Sequence, residues 1–166
     1  MDINVIDNFL NDNDLKNIKD NLLEAPLRYQ KNVSGNNDSN RYWDYYFIHL
    51  IYWNNKPLSN VFDNVYNIFM PKFEKYGEVK SLIRIKLNFY PYNDTLKEHP
   101  VHVDANYSHY GAVFSLNTCD GFTRLQDGTK VDSIENRMLF FDPSLPHNSS
   151  NTTNDYGRAN INFNFL

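Results

Sequence analysis

Two stretches of strict alternation constrain this chain more than anything else in it. In residues 83 to 90, Ile83, Ile85, Leu87 and Phe89 alternate with Arg84, Lys86, Asn88 and Tyr90. Near the end of the chain, Ala159, Ile161, Phe163 and Phe165 alternate with Arg158, Asn160, Asn162 and Asn164. Successive side chains of a strand leave opposite faces, so each stretch is a strand with one apolar and one polar face. Further strands are expected at 101–104, 111–117, 122–126, 129–134 and 137–141, with Asp120-Gly121 and Asp127-Gly128 as turns. Short strands at this spacing fold as an antiparallel sandwich or barrel. If other elements cover the apolar rows, both polar rows point inward and line a wet, hydrogen-bonding interior.

The first half has a different period. Ile3, Val5 and Ile6 fit a short opening strand, and Asn11 then fits an N-cap with Asp12 and Asp14 in the first helical turn. Leu15, Ile18, Leu22 and Leu23 share one helical face, and Pro26 ends the helix. Residues 29–40 read as a polar loop marked by Ser34, Gly35, Asn36 and Asn37. The aromatic stretch Tyr42 to Trp53 reads as an extended edge segment. A second helix is expected to start near Pro57 and stop by Gly77, with Pro71 as a candidate kink. Leu58, Val61, Phe62, Val65, Ile68 and Phe69 would form its apolar face. Both helices need an apolar partner, and the outside of a sheet is the expected one.

Several function classes are excluded or weakened by composition. A net charge of −4 gives no overall basic field for nucleic acid. The single cysteine, Cys119, permits neither an intramolecular disulfide nor zinc-finger spacing, and is expected to be a buried small side chain. There is no signal-peptide pattern and no apolar run long enough for a membrane span. The expectation is a cytoplasmic protein of one domain, residues 1–166, with mixed helical support in 1–78 and a β core in 79–166.

Chemistry concentrates around His102-Val103-Asp104. Residues i and i+2 of a strand share a face, which brings an imidazole and a carboxylate together. His147 lies in the proline-bounded turn Asp142-Pro143-Ser144-Leu145-Pro146-His147. Two imidazoles and one carboxylate suit non-haem Fe(II) and leave coordination positions open. Arg158 opens the final strand, and its guanidinium fork matches a carboxylate in two hydrogen bonds, so it could anchor one end of a dicarboxylate. His99 and His109 flank the motif and read as loop histidines without a role, and His49 as structural. Arg137 reads as a packing or surface residue.

In this order, His102-x-Asp104, Asp120-Gly121-Phe122-Thr123, Asn136-Arg137-Met138-Leu139-Phe140-Phe141, Pro146-His147 and Arg158 resemble the 2-oxoglutarate- and Fe(II)-dependent dioxygenases, specifically the prolyl 4-hydroxylase-like branch. The resemblance covers roughly residues 79–166. It implies a mainly β fold with supporting helices around a double-stranded β-helix (jelly-roll, cupin-like) core. It implies His102, Asp104 and His147 as metal ligands and catalytic centre, and 2-oxoglutarate as cosubstrate held by Arg158. Asn88-Phe89-Tyr90-Pro91 is similar to the strand before the iron motif, which implies Tyr90 as a further cosubstrate contact. Two departures stand out: collagen-type prolyl hydroxylases anchor the cosubstrate with lysine, and the usual Gly-Gly-x-Thr turn is here Gly121-Phe122-Thr123.

The implied function is hydroxylation of an unactivated C–H bond, first of a peptidyl side chain such as proline, using O₂ and releasing succinate and CO₂. Ascorbate is an expected stimulant. No membrane or nucleic-acid partner is expected. The rival readings are an oxygenase acting on a free small molecule, a non-catalytic β-barrel binding module for metal or small molecule, and a structural β-sandwich. The segments 31–55 and 92–100 are the expected substrate-selecting loops.

Overall fold

Asn11 caps the first helix as its side chain predicts: its Oδ1 accepts the Asp14 N–H at 2.9 Å, and α1 runs over Asp12–Leu23. The computed structural model describes residues 2–34, 41–76 and 79–166. The strands are β1 (Asn4–Ile6), β2 (Arg28–Lys31), β3 (Tyr45–Trp53), β4 (Lys56–Pro57), β5 (Leu82–Pro91), β6 (Tyr110–Ser115), β7 (Phe122–Arg124), β8 (Lys130–Asp132), β9 (Met138–Phe141), β10 (Asn148–Ser149) and β11 (Gly157–Phe165), with α2 (Phe62–Phe73) between β4 and β5. An eight-stranded sheet runs β1-β9-β6-β11-β5-β3-β2, with β4 pairing on β3. A three-stranded sheet, β10-β7-β8, forms separately. All named strand pairs are antiparallel.

Both helices cover the apolar face of the large sheet. Ile18, Val65, Phe69 and Phe73 pack with Ile85, Phe114, Phe140 and Phe163, all fully buried. Burying each aromatic or branched side chain contributes about 1.5–3 kcal/mol, so this face holds the layers together. The opposite faces of β5 and β11 then point away from the helices. Their register pairs Arg158 with Tyr90, Asn160 with Asn88, Asn162 with Lys86 and Asn164 with Arg84. The two polar rows therefore lie side by side and line one cavity. The register shift next to Asn164 skips Ile83, so Leu82 takes the core position that simple alternation assigns to Ile83.

Four local expectations need correction. Residues 29–31 are strand rather than loop, because β2 pairs with β3 along four residues from Arg28 to Lys31. This makes β3 an interior strand rather than an edge, since β5 flanks its other side. Pro57 belongs to a hairpin that turns through Asn54 and Asn55, both with positive φ, and the helix starts only at Phe62. Leu58 is consequently exposed. Residues 101–104 form no strand: a single bridge joins His102 to His147, and the Asp104 N–H then turns to the Pro143 carbonyl at 2.9 Å. The proline-bounded turn opposite cannot supply a regular ladder. Gly35, Asn36, Asn37 and Gly77, which were expected to mark a loop and a helix stop, lie outside the described residues. Among the described residues, no helix is long and apolar enough to cross a membrane.

Candidate metal centre

The His102–His147 bridge brings together the three residues expected to carry the chemistry. The ligand atoms of His102, Asp104 and His147 all lie within 4.8 Å of one another. Each imidazole is oriented from behind. His147 Nδ1 donates to the Leu145 carbonyl at 2.9 Å, and His102 Nδ1 to the Pro100 carbonyl at 3.3 Å. A carbonyl only accepts, so Nδ1 carries the proton and Nε2 presents its lone pair. Burial, reinforced by the neighbouring His147, pushes the His102 pKa down to about 4, which keeps that ring neutral near pH 7.

Asp104 is held by residues that motif reading did not single out. Its Oδ2 accepts from Arg84 Nη2 at 2.8 Å and from Asn164 Nδ2 at 2.9 Å, which leaves Oδ1 turned toward His102 at 3.8 Å. Burial opposes ionisation of this carboxyl, but Arg84, His147, Lys86 and the Asn164 hydrogen bond together outweigh it and hold the pKa well below the usual carboxylate range. Arg84 also donates to Asn162 Oδ1 at 3.1 Å. His109, expected to be idle, is buried; its Nδ1 donates to the Tyr107 carbonyl at 2.9 Å, and its Nε2 accepts from Asn164 at 3.2 Å. The signal for Arg84 and Asn164 was present in the period-two polar rows. Their partner was not, because Asp104 reaches them only through the fold.

Arg158 and Tyr90 line the same cavity as the three ligand residues. Arg158 is 1% exposed, donates from Nη2 to Thr123 Oγ1 at 2.8 Å and lies over the Tyr90 ring at 5.6 Å. Its Nε has no hydrogen-bond partner, and it forms no ion pair among the described residues. A buried cation with no counter-charge beside it is costly to hold. Burial pushes the Tyr90 phenol pKa up against the pull of Arg158, which keeps its O–H available as a donor. Tyr90 stacks on Tyr46 at 5.4 Å, and Lys86, also in the cavity wall, donates to Tyr46 Oη at 3.3 Å. Burial, with Arg84 beside it, pushes the Lys86 pKa down to about 7 against the attraction of Asp104.

The remaining candidates are structural. His99 is buried and bonds Ser149, and His49 bonds Pro26 and Ser59. Cys119 is buried and free. Arg137 pairs with Asp7 at the surface.

No protein-family model matches the sequence, and neither does any curated protein. Solved structures do match. An oxidoreductase of the 2OG-Fe(II) oxygenase family from Burkholderia pseudomallei superposes with a TM-score of 0.70 at 12% identity, over 98% of this chain and 84% of that one. A prolyl hydroxylase from Trichoplax adhaerens, in complex with a hypoxia inducible factor peptide fragment, gives 0.71 at 15% identity over 98% and 83%. A Pseudomonas putida prolyl-4-hydroxylase gives 0.64 at 13% identity over 98% and 91%. The fold is that of the 2OG-Fe(II) oxygenases. The mainly β architecture with supporting helices, expected from the alternation and the motif order, is the one observed.

Proposed function

We propose that this chain is an Fe(II)- and 2-oxoglutarate-dependent oxygenase whose metal is held by His102 Nε2, Asp104 Oδ1 and His147 Nε2. Two neutral imidazoles and one carboxylate fit Fe(II) and leave positions open for a bidentate 2-oxo acid. Arg158 would bind the far carboxylate of 2-oxoglutarate, and Tyr90, beneath the guanidinium, would limit that end of the pocket. The observation that carries this reading is Arg158 itself, a buried guanidinium without an ion-pair partner among the described residues, in the cavity that holds the triad.

When bound, iron and cosubstrate supply oxidative chemistry in which O₂ and a C–H bond give the alcohol, with 2-oxoglutarate leaving as succinate and CO₂. The chain's own residues orient and shield. Arg84 and Asn164 aim Asp104, the Pro100 and Leu145 carbonyls aim the two imidazoles, and Phe141 packs edge-on against His147 at 5.0 Å. A peptidyl side chain, proline first, is the substrate class that the two prolyl hydroxylase neighbours favour. The test is succinate release with Fe(II), 2-oxoglutarate and O₂, with and without a panel of proline-containing peptides. Stimulation by a peptide with a gain of 16 Da supports the reading. No succinate under any condition, together with no 2-oxoglutarate binding, rejects it.

A further inference from the structure

Charge in the cavity wall does not balance. Its ionisable lining is Arg84, Lys86, Arg158 and a single acid, Asp104, besides the two histidines and two tyrosines. Arg84 is consumed by Asp104. Arg158 and Lys86 remain without a carboxylate among the described residues. Among the described residues, Lys86 contacts the Tyr46 hydroxyl at a long 3.3 Å and the Tyr46 ring at 5.2 Å, and an ammonium has three donors. The register places the two cations apart along the cavity: Arg158 pairs with Tyr90, whereas Lys86 pairs with Asn162 beside the Arg84–Asn164 pair that grips Asp104.

We propose that Lys86, backed by Tyr46, is a second carboxylate-binding group of this cavity, placed at its metal-facing end and opposite in function to Arg158. The inference rests on the oxygenase reading for what Arg158 binds, and adds a distinct anion position. The carboxylate has two possible sources: the second carboxylate of the 2-oxo acid, or a carboxylate carried by the substrate. In either case the cavity takes ligands with more negative charge than one guanidinium neutralises. A neutral side chain at position 86 would remove that preference without touching the metal ligands.

Calorimetric titration of the metal-free full chain tests this with glutarate and pentanoate, which differ by one carboxylate. The wild type should bind glutarate more tightly. Lys86→Met and Lys86→Gln should weaken glutarate roughly tenfold to a hundredfold and leave pentanoate unchanged, whereas Lys86→Arg should retain most of the affinity. That outcome assigns Lys86 to the cosubstrate. If glutarate is unaffected but acetate, titrated into protein saturated with 2-oxoglutarate, binds the wild type and not Lys86→Met, the carboxylate belongs to the substrate. Wild-type behaviour of both neutral variants in both titrations overturns the proposal, as does a wild type that neither prefers glutarate nor binds acetate. Arg158→Met separates the two readings. If it loses glutarate while the Lys86 variants keep wild-type binding of both glutarate and acetate, only the Lys86 subsite falls; if the Co(II)-loaded wild type also fails to bind 2-oxoglutarate, the oxygenase reading falls with it. Thermal unfolding of each variant confirms that a folded protein was titrated.

Discussion

His102 and His147 exchange both of their main-chain hydrogen bonds, each at 2.9 Å, although one follows β5 and the other follows β9. In an antiparallel pair of this kind the two side chains leave the same face, and here the rings lie 4.6 Å apart. The bridge is isolated, so the main chain is free to turn immediately afterwards and bring Asp104 back toward the same point. The imidazole pair is thus set by backbone hydrogen bonds.

Metal binding should depend on all three ligand residues. His102→Ala, Asp104→Ala and His147→Ala are each expected to abolish high-affinity Fe(II) or Co(II) binding with little loss of secondary structure. Cys119→Ser should bind metal like the wild type. Equilibrium titration followed by Co(II) absorption checks both, and full metal affinity in Asp104→Ala would remove the triad.

The support of Asp104 should be measurable separately. Arg84→Met and Asn164→Ala each free one hold on Oδ2, and loss of such supporting contacts typically costs about 10–100-fold in metal affinity. Both variants should retain some metal binding, unlike Asp104→Ala. Wild-type affinity in both would mean that the Asp104 orientation is set elsewhere.

Arg158→Lys keeps the charge and loses the fork. Charge-assisted hydrogen bonds contribute about 1.5–3 kcal/mol, so 2-oxoglutarate affinity should fall roughly tenfold to a hundredfold. Arg158→Ala should be worse and Tyr90→Phe milder, with metal affinity in the absence of cosubstrate unchanged in all three. The Fe(II)–2-oxoglutarate charge-transfer band follows this directly.

Gly121 gives an orthogonal route to the same anchor. A Cβ added there would lie 2.7 Å from Arg158 Cδ and 2.6 Å from the Asn151 carbonyl oxygen. Gly121→Ala should therefore displace the guanidinium and weaken 2-oxoglutarate binding while sparing the metal. An unaltered cosubstrate titration in a folded Gly121→Ala protein would contradict the assigned role of Arg158.

Burial pushes the His99 pKa down to about 4 from an ordinary value near 6.5. Between those values the unfolded chain takes up a proton that the folded chain refuses, so stability is complete above pH 6.5 and is lost as pH falls toward 4. The loss is on the order of 3 kcal/mol for this one group. His99→Gln should flatten the decline of the melting temperature of metal-free protein across that range. Identical pH profiles would refute the assignment.

Alternation by itself determined the two polar rows, because side-chain face in a strand is a local property with a period of two residues. The Asn11 cap was legible for the same reason, its donor being three residues away. His102, Asp104, His147 and Arg158 stood out because their chemistry and order are unusual together. Other features depended on contacts that no local pattern encodes. Residues 28–31 become a strand only because β3 is there to pair with them, and Pro57 closes a hairpin because Asn54 and Asn55 adopt positive φ. Arg84 pairs with Asp104, and among the described residues Lys86 forms no ion pair, for one shared reason. The register between β5 and β11, and the turn after the His102–His147 bridge, decide which polar side chains face each other across the cavity, and that is a property of the assembled sheets.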